Sequence, residues 1–179
     1  MIRKLFSVML VFLMFFIADR ALAGGLGIGV RYALVHMQSS DDNTGMAGAF
    51  VRLGDGLIGL EGAVDHRTDE FAGGTDVRTW PITASLILRP LPIVFAAAGL
   101  GWYNTTVDYA GDALDDQTET NMGYQFGAGV QLPLVPMLSL VGDARYHFVD
   151  YDFDAVPSEF DFNDADYLSL HGGLLLSLP

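Results

Sequence analysis

The stretch Asn121-Met122-Gly123-Tyr124-Gln125-Phe126-Gly127-Ala128-Gly129-Val130-Gln131-Leu132 decides the fold class. Its odd positions are Asn, Gly, Gln, Gly, Gly and Gln, and its even positions are Met, Tyr, Phe, Ala, Val and Leu. Side chains alternate across a strand, so one face here is large and apolar and the other small and polar. About 9–11 tilted residues carry a strand across a bilayer. An apolar outer face over a polar inner one, at that length, is the pattern of a transmembrane β-barrel wall.

The N-terminus reads as an address. Arg3 and Lys4 form a basic start, Leu5 to Ala18 an apolar core, and Ala21-Leu22-Ala23 a small-x-small cleavage site. The apolar core is shorter than the roughly 20 residues a helical anchor needs. We therefore expect residues 1–23 to be a cleaved signal peptide and 24–179 one barrel domain. No cysteine is present, which excludes a lipoprotein anchor and a disulfide scaffold. Past residue 23 there are six Arg, no Lys and 21 acidic residues, a formal charge near −15. Yet 51% of the 179 residues are hydrophobic, so charge and apolar surface must be segregated in space. The longest apolar run, Leu91 to Tyr103, is interrupted by Pro92 and glycines, which argues against a helical span. A closed barrel satisfies every backbone hydrogen bond in lipid without one. Such an acidic chain offers no basic patch for phosphates, so nucleic acid is not an expected partner.

Alternation and breakers place eight strands, at about 25–37, 44–53, 57–66, 76–89, 93–105, 120–132, 138–149 and 166–178. Three connections are short and rich in turn formers: Gly54-Asp55-Gly56, Pro90-Leu91-Pro92 and Pro133 to Met137. Four are longer and acidic: Gln38–Asn43, Arg67–Thr75, Thr106–Glu119 and Asp150–Ala165. Short turns and long loops alternate along the chain, as they do when periplasmic turns lie at one rim and extracellular loops at the other. The fold expected is thus all-β, an eight-stranded antiparallel up-and-down transmembrane β-barrel in the outer membrane of a Gram-negative bacterium.

The faces follow from the same parity. Leu26, Ile28, Val30, Tyr32 and Leu34 oppose Gly27, Gly29, Arg31 and Ala33; Leu168, Leu170, Leu174 and Leu176 oppose Tyr167, Ser169, His171 and Gly173. An Arg on the lipid face at the midplane costs about 2–4 kcal/mol, so Arg31, Arg52 and Arg145 should point inward. Eight strands leave an interior only wide enough for side chains. We expect Arg31, Arg52, Arg145, Glu61, Asp143 and Asp65 to pair there, with His147 and His171 in the same network, as a plug rather than a pore. Tyr32, Trp80, Trp102, Tyr103, Tyr109, Tyr124, Tyr146, Phe148 and Tyr167 are candidates for interfacial girdles. The segment 93–105 is apolar on both parities, so its faces are left open.

The stretches Ala98-Gly-Leu-Gly-Trp-Tyr103, Gly123-Tyr-Gln-Phe-Gly-Ala-Gly-Val130 and Asp143-Ala-Arg-Tyr-His147 resemble the small bacterial outer-membrane β-barrel superfamily, of the OmpA-barrel and OmpX type. The resemblance covers the whole chain after residue 23. It implies outer-membrane lipid, lipopolysaccharide and the assembly machinery as partners, and no cofactor. Such barrels usually end in an aromatic residue, whereas this sequence ends Leu-Ser-Leu-Pro. That departure implies either less efficient insertion or Leu178 in the aromatic's role.

Two sites follow for weighing. Ser169 and His171 share a face, with His147 and Asp143 on the preceding strand; barrels that modify lipid A use such residue types. The local order Tyr167-Leu-Ser-Leu-His171 lacks the deacylase pattern His-x-Ser-Asn, and a lumenal hydrogen-bond network is the reading favoured over a catalyst. In the last loop, Asp150, Asp152, Asp154 and Asp161 alternate with Tyr151, Phe153, Phe160 and Phe162. Such carboxylates suit weak divalent-cation bridging to lipopolysaccharide, and the aromatics suit a surface ligand. The position where an EF-hand requires Gly holds Ala155. The rival fold is a soluble lipocalin-like periplasmic barrel, with apolar residues inside; the Gly-rich polar faces argue against it.

Overall fold

A computed structural model describes residues 25–37, 43–71, 75–108, 117–149 and 166–178. Eight strands form one closed antiparallel barrel: β1 (Leu26–Met37), β2 (Asn43–Leu53), β3 (Ile58–Phe71), β4 (Thr75–Leu91), β5 (Val94–Asp108), β6 (Gln117–Val135), β7 (Leu138–Val149) and β8 (Tyr167–Leu178). Each strand pairs with its sequence neighbours, and β1 closes on β8 from Leu26↔Leu178 to Met37↔Tyr167. Closure removes the unpaired edge that an open sheet would leave in lipid.

The wall has the polarity of a membrane protein. Val30, Tyr32 and Leu34 on β1 are more than half exposed, while Gly29, Arg31 and Ala33 between them are buried. An apolar exterior around a charged interior is the reverse of a soluble lipocalin-like barrel, which disposes of that alternative.

Several strands run further than alternation indicates. β3 continues to Phe71, β5 to Asp108, and β6 begins at Gln117. The added segments are mostly polar in sequence, so a search for apolar alternation stops short of them. Their β-branched residues (Thr68, Thr75, Thr106, Val107, Thr118) suit a pleated sheet, which is why pairing persists. At the other end, β4 passes through Pro90 and β6 through Pro133, leaving two-residue turns at Pro92-Ile93 and Pro136-Met137. Both strand ends carry register irregularities, between Leu88 and Leu91 and between Pro133 and Val135, where a missing N–H is tolerated.

The interior is stratified. Phe50, Ala63, Ile87, Phe95, Ala97, Val141 and Leu175 form an apolar layer toward the short turns. Ala33, Val35, Met46, Tyr103, Val149 and Tyr167 form a second one toward the long loops. Charged and polar side chains fill the space between.

The aromatic girdle differs from expectation in two ways. Tyr103 and Tyr167 point inward, at 0% and 5% exposure, because their odd positions share the lumenal parity of β5 and β8. Tyr109 lies outside the described residues. Of the remaining candidates, Tyr32, Trp80, Trp102 and Tyr124 are exposed outward; Trp80, Trp102 and Tyr124 lie toward the loop end, and Tyr32 lies at the middle of β1. Near the short turns the outward belt is aliphatic among the described residues: Leu26, Ile58, Leu88, Ile93, Leu132 and Leu176. Among the described residues the barrel thus carries one aromatic girdle rather than two.

Candidate functional site: the lumenal charge layer

Six charged side chains meet inside the barrel, three cations against three anions. Arg31 of β1 grips Asp65 of β3 with two parallel contacts, Nε to Oδ1 at 2.8 Å and Nη2 to Oδ2 at 2.5 Å, and donates Nη1 to Glu61 at 3.3 Å. Arg52 of β2 donates Nε to Glu61 Oε2 at 2.7 Å and Nη1 to Gln131 Oε1 at 3.1 Å. Arg145 of β7 places Nη2 at 2.7 Å from Glu61 Oε1 and Nε at 2.7 Å from Asp143 Oδ1. Glu61 is therefore the hub, touched by all three guanidiniums. His171 of β8 joins through Nδ1 and Asp143 Oδ1 at 3.0 Å.

Every member of this cluster is buried. Isolated charges there would be prohibitive, and matched charge with forked Arg–carboxylate geometry is what makes the layer tenable. The guanidinium carbon of Arg52 also lies 4.4 Å from the Phe95 ring centroid and 5.2 Å from that of Phe50, so the apolar layer below contacts the cation through ring faces. The close fit depends on missing side chains. A Cβ on Gly129 would sit 2.5 Å from Asp143 Cβ and 2.6 Å from Phe95 Cζ.

Register explains the freedom of Asp65. The β3–β4 pairing runs through Val64↔Ile82 and resumes at Arg67↔Thr79. The gap lies opposite Pro81, which has no N–H to donate. Asp65 sits in that gap with its carboxylate turned to Arg31.

Above the charge layer is a hydrogen-bonded chain that alternation did not reveal. His147 contacts the Tyr103 hydroxyl through Nδ1 at 2.9 Å and Ser169 Oγ through Nε2 at 2.8 Å. Ser169 donates its hydrogen to the Arg145 carbonyl at 3.3 Å. With that hydrogen committed, Ser169 accepts from His147 Nε2–H, and Nδ1 then accepts from the Tyr103 hydroxyl. The His147 ring stacks on Tyr167 at 4.3 Å and 9°.

This arrangement separates the residues considered for catalysis. Ser169 is bonded to His147, and His171 is bonded to Asp143, so the two form no dyad with each other. A serine nucleophile donates its proton to the histidine that activates it; Ser169 instead donates to a carbonyl and is 0% exposed. The parity of β5 was the missing signal, because Tyr103 could be placed only once Phe95 and Ala97 were seen to face inward with it. The loop residues Asp150, Asp152, Asp154 and Asp161 lie outside the described residues.

Known proteins place this architecture. No curated protein matches the chain by sequence. Among solved structures, Neisserial surface protein A aligns with a TM-score of 0.65 at 17% identity, over 86% of this chain and 96% of that one. A major outer membrane protein of Thermus thermophilus aligns at 0.56 and 15% identity, over 86% and 99%. Ail, the attachment invasion locus protein of Yersinia pestis, aligns at 0.52 and 18% over 86% and 97%, in a complex with the heparin analogue sucrose octasulfate. At these identities the likeness is one of fold. The family model described as "Outer membrane protein beta-barrel domain" matches residues 7–174, nearly the whole sequence. An apolar wall, a charge-filled lumen and that match lead to one conclusion: the chain belongs to the outer-membrane protein β-barrel domain family and is a protein of the bacterial outer membrane.

Proposed function

We propose that this protein is a closed, non-catalytic barrel that presents its acidic loops at the cell surface. The observation that carries the reading is the filled lumen. The Glu61-centred layer lies between two apolar layers, and side chains from β1, β2, β3, β7 and β8 meet across the barrel interior. A solute would have to break charge-assisted contacts in a low-dielectric interior to pass. In this reading residues 1–23 are removed on export, the termini and short turns are periplasmic, and the long loops are extracellular. The assembly machinery and lipopolysaccharide are its partners in the membrane.

The loops then carry the surface role. Asp150, Asp152, Asp154 and Asp161, interleaved with Tyr151, Phe153, Phe160 and Phe162, suit a basic partner surface with apolar contacts. A sulfated ligand of the kind seen with Ail would meet repulsion from the acidic chain, whose formal charge past residue 23 is near −15. Reconstitution into planar bilayers tests the closed lumen, with no channel steps expected; stable conductance would overturn it. Expression in a host whose lipid A is read by mass spectrometry tests the absence of catalysis, and any change of lipid A mass would overturn that.

A further inference from the structure

One strand overruns its neighbour at the short-turn end. β6 pairs with β5 only as far as Val130↔Val94, yet it continues to Val135, held there by β7 through Pro133↔Ser139 and Val135↔Leu138. Along this tip Leu132, Leu134, Val135 and Met137 are 40%, 55%, 57% and 45% exposed. Leu134 has the outward parity of β6 and Val135 the lumenal one, so the strand end is apolar and exposed on both faces. Residues 132–138 carry no charged or hydrogen-bonding side chain. The turn beside it repeats the chemistry: residues 90–93 are Pro-Leu-Pro-Ile, with Leu91 57% and Ile93 47% exposed.

The third short turn differs. Asp55 is exposed on it, and Arg89 donates to the carbonyls of Gly54 at 3.0 Å and Gly56 at 3.4 Å. Within residues 53–58, 89–94 and 131–138, Asp55 and Arg89 are the only charged residues. Polarity at this rim is thus gathered on one turn, and the other two are left apolar.

We propose that these two tips, residues 90–93 and 133–137, rest inside the inner phospholipid leaflet at the boundary of headgroups and acyl chains, and anchor the barrel there in place of a second aromatic girdle. Continuity selects the occupant. Leu132 at the root of the longer tip pairs with Leu140, and Leu140 with Leu174, so the lipid-facing belt runs into the tip with no polar row between. A tip apolar on both faces needs an apolar medium on both sides, which a leaflet supplies and a watery mouth does not. Depth agrees. Ten residues separate Tyr124 from Leu134, and ten separate Trp80 from Pro90. A strand tilted by about 40° climbs about 2.5 Å per residue along the normal, so each stretch spans the roughly 25 Å of a barrel's apolar band. With the tryptophans and Tyr124 at one headgroup level, the tips fall at the other. The backbone suits that place as well. Pro90, Pro92, Pro133 and Pro136 have no N–H for lipid to leave unpaired, and the carbonyls of Ile93 and Met137 accept from the Gln131 and Ser177 amides at 2.9 and 2.8 Å. The proposal rests on the membrane placement given above.

The chain has no cysteine, so single-cysteine variants each take one label. Leu91→Cys, Leu134→Cys, Val135→Cys, Asp55→Cys and Leu86→Cys are labelled with the fluorophore NBD and refolded into phosphatidylcholine vesicles. Each is quenched by iodide from water or by phosphatidylcholine carrying a doxyl group on its acyl chain, and heat-modifiability is read on the same samples. At positions 91, 134 and 135 iodide quenching is expected to be several-fold weaker than at 55, and doxyl quenching several-fold stronger. Position 135 is the sharpest, because a residue of lumenal parity inside the barrel would be out of reach of lipid. Iodide quenching at 91 and 134 equal to that at 55, with 86 still quenched by doxyl lipid, would overturn the immersed tips and leave the barrel in its membrane. Labels at 134 and 135 shielded from iodide but untouched by doxyl lipid would also overturn them, because protein, such as a second copy, would then cover the tip. A heat-modifiable chain whose label at 86 is not quenched by doxyl lipid would overturn the membrane placement together with the tips.

Discussion

The Arg145 guanidinium and the Glu61 carboxylate meet at 2.7 Å across the lumen, from strands β7 and β3 that are not neighbours in the sheet. Their contact joins opposite sides of the barrel, so it acts as a cross-brace. Removing one partner of a buried ion pair costs about 3–5 kcal/mol, because the other charge is left uncompensated. Glu61→Leu takes a carboxylate from all three guanidiniums, leaving Arg31 with Asp65 and Arg145 with Asp143, and should lie near the top of that range, with Arg145→Met nearer the bottom. Urea unfolding in lipid vesicles, followed by loss of heat-modifiability, measures both. Equal stability of Glu61→Leu and wild type would show that the layer is not a brace.

The chain Tyr103–His147–Ser169–Arg145 carbonyl gives a second, smaller expectation. Tyr103→Phe removes the donor to His147 Nδ1 and should destabilise by about 1–3 kcal/mol, the penalty for a buried polar atom left without its bond. Ser169→Ala should fall in the same range. Neither should alter lipid A in the expression host. A change in lipid A mass with Ser169→Ala and no loss of stability would revive the enzymatic alternative.

Glycines on the two faces should respond with opposite signs. Gly129→Val drives branched carbons into Asp143 and Phe95 and should cost about 1–3 kcal/mol by overpacking. Gly62 faces outward, with nothing within 4 Å of an added Cβ. Gly62→Val should leave stability unchanged or raise it by up to about 1 kcal/mol, through strand propensity. The same unfolding series decides, and a destabilised Gly62→Val would contradict the outward assignment.

Leu86 tests the depth of the belt. It faces outward midway between Trp80 and Leu91 on β4 and is 41% exposed. Leu86→Arg should cost about 2–4 kcal/mol in bilayers, the midplane penalty for arginine on a barrel wall. The same change in a solubilising detergent should be milder; an equal penalty in both would mean that Leu86 is not at the midplane.

Legibility divided along the strand. Parity alone puts Arg31, Gly29 and Ala33 on one face and Val30, Tyr32 and Leu34 on the other, because side chains alternate in any strand whatever its partner. It was weakest where both parities are apolar, as in Val94–Ala98, and there Tyr103 was placed on the girdle instead of in the lumen. It was also blind to the mostly polar segments that extend the strands above the membrane. Prolines 90 and 133 suggested turns two and three residues too early, since strand ends tolerate them.

The sequence by itself determined the closed eight-stranded barrel, the order of its short and long connections, and which side of the wall each charge must avoid. Those follow from local alternation, turn chemistry and the penalty of charge in hydrocarbon, none of which needs a partner strand. Only the tertiary structure decided that Glu61 is the hub, that Ser169 belongs to His147 rather than to His171, and that Leu134 and Val135 are exposed on opposite faces of one strand tip. These depend on the stagger of eight strands around the closed barrel, which brings together residues from different strands at heights that no single strand records.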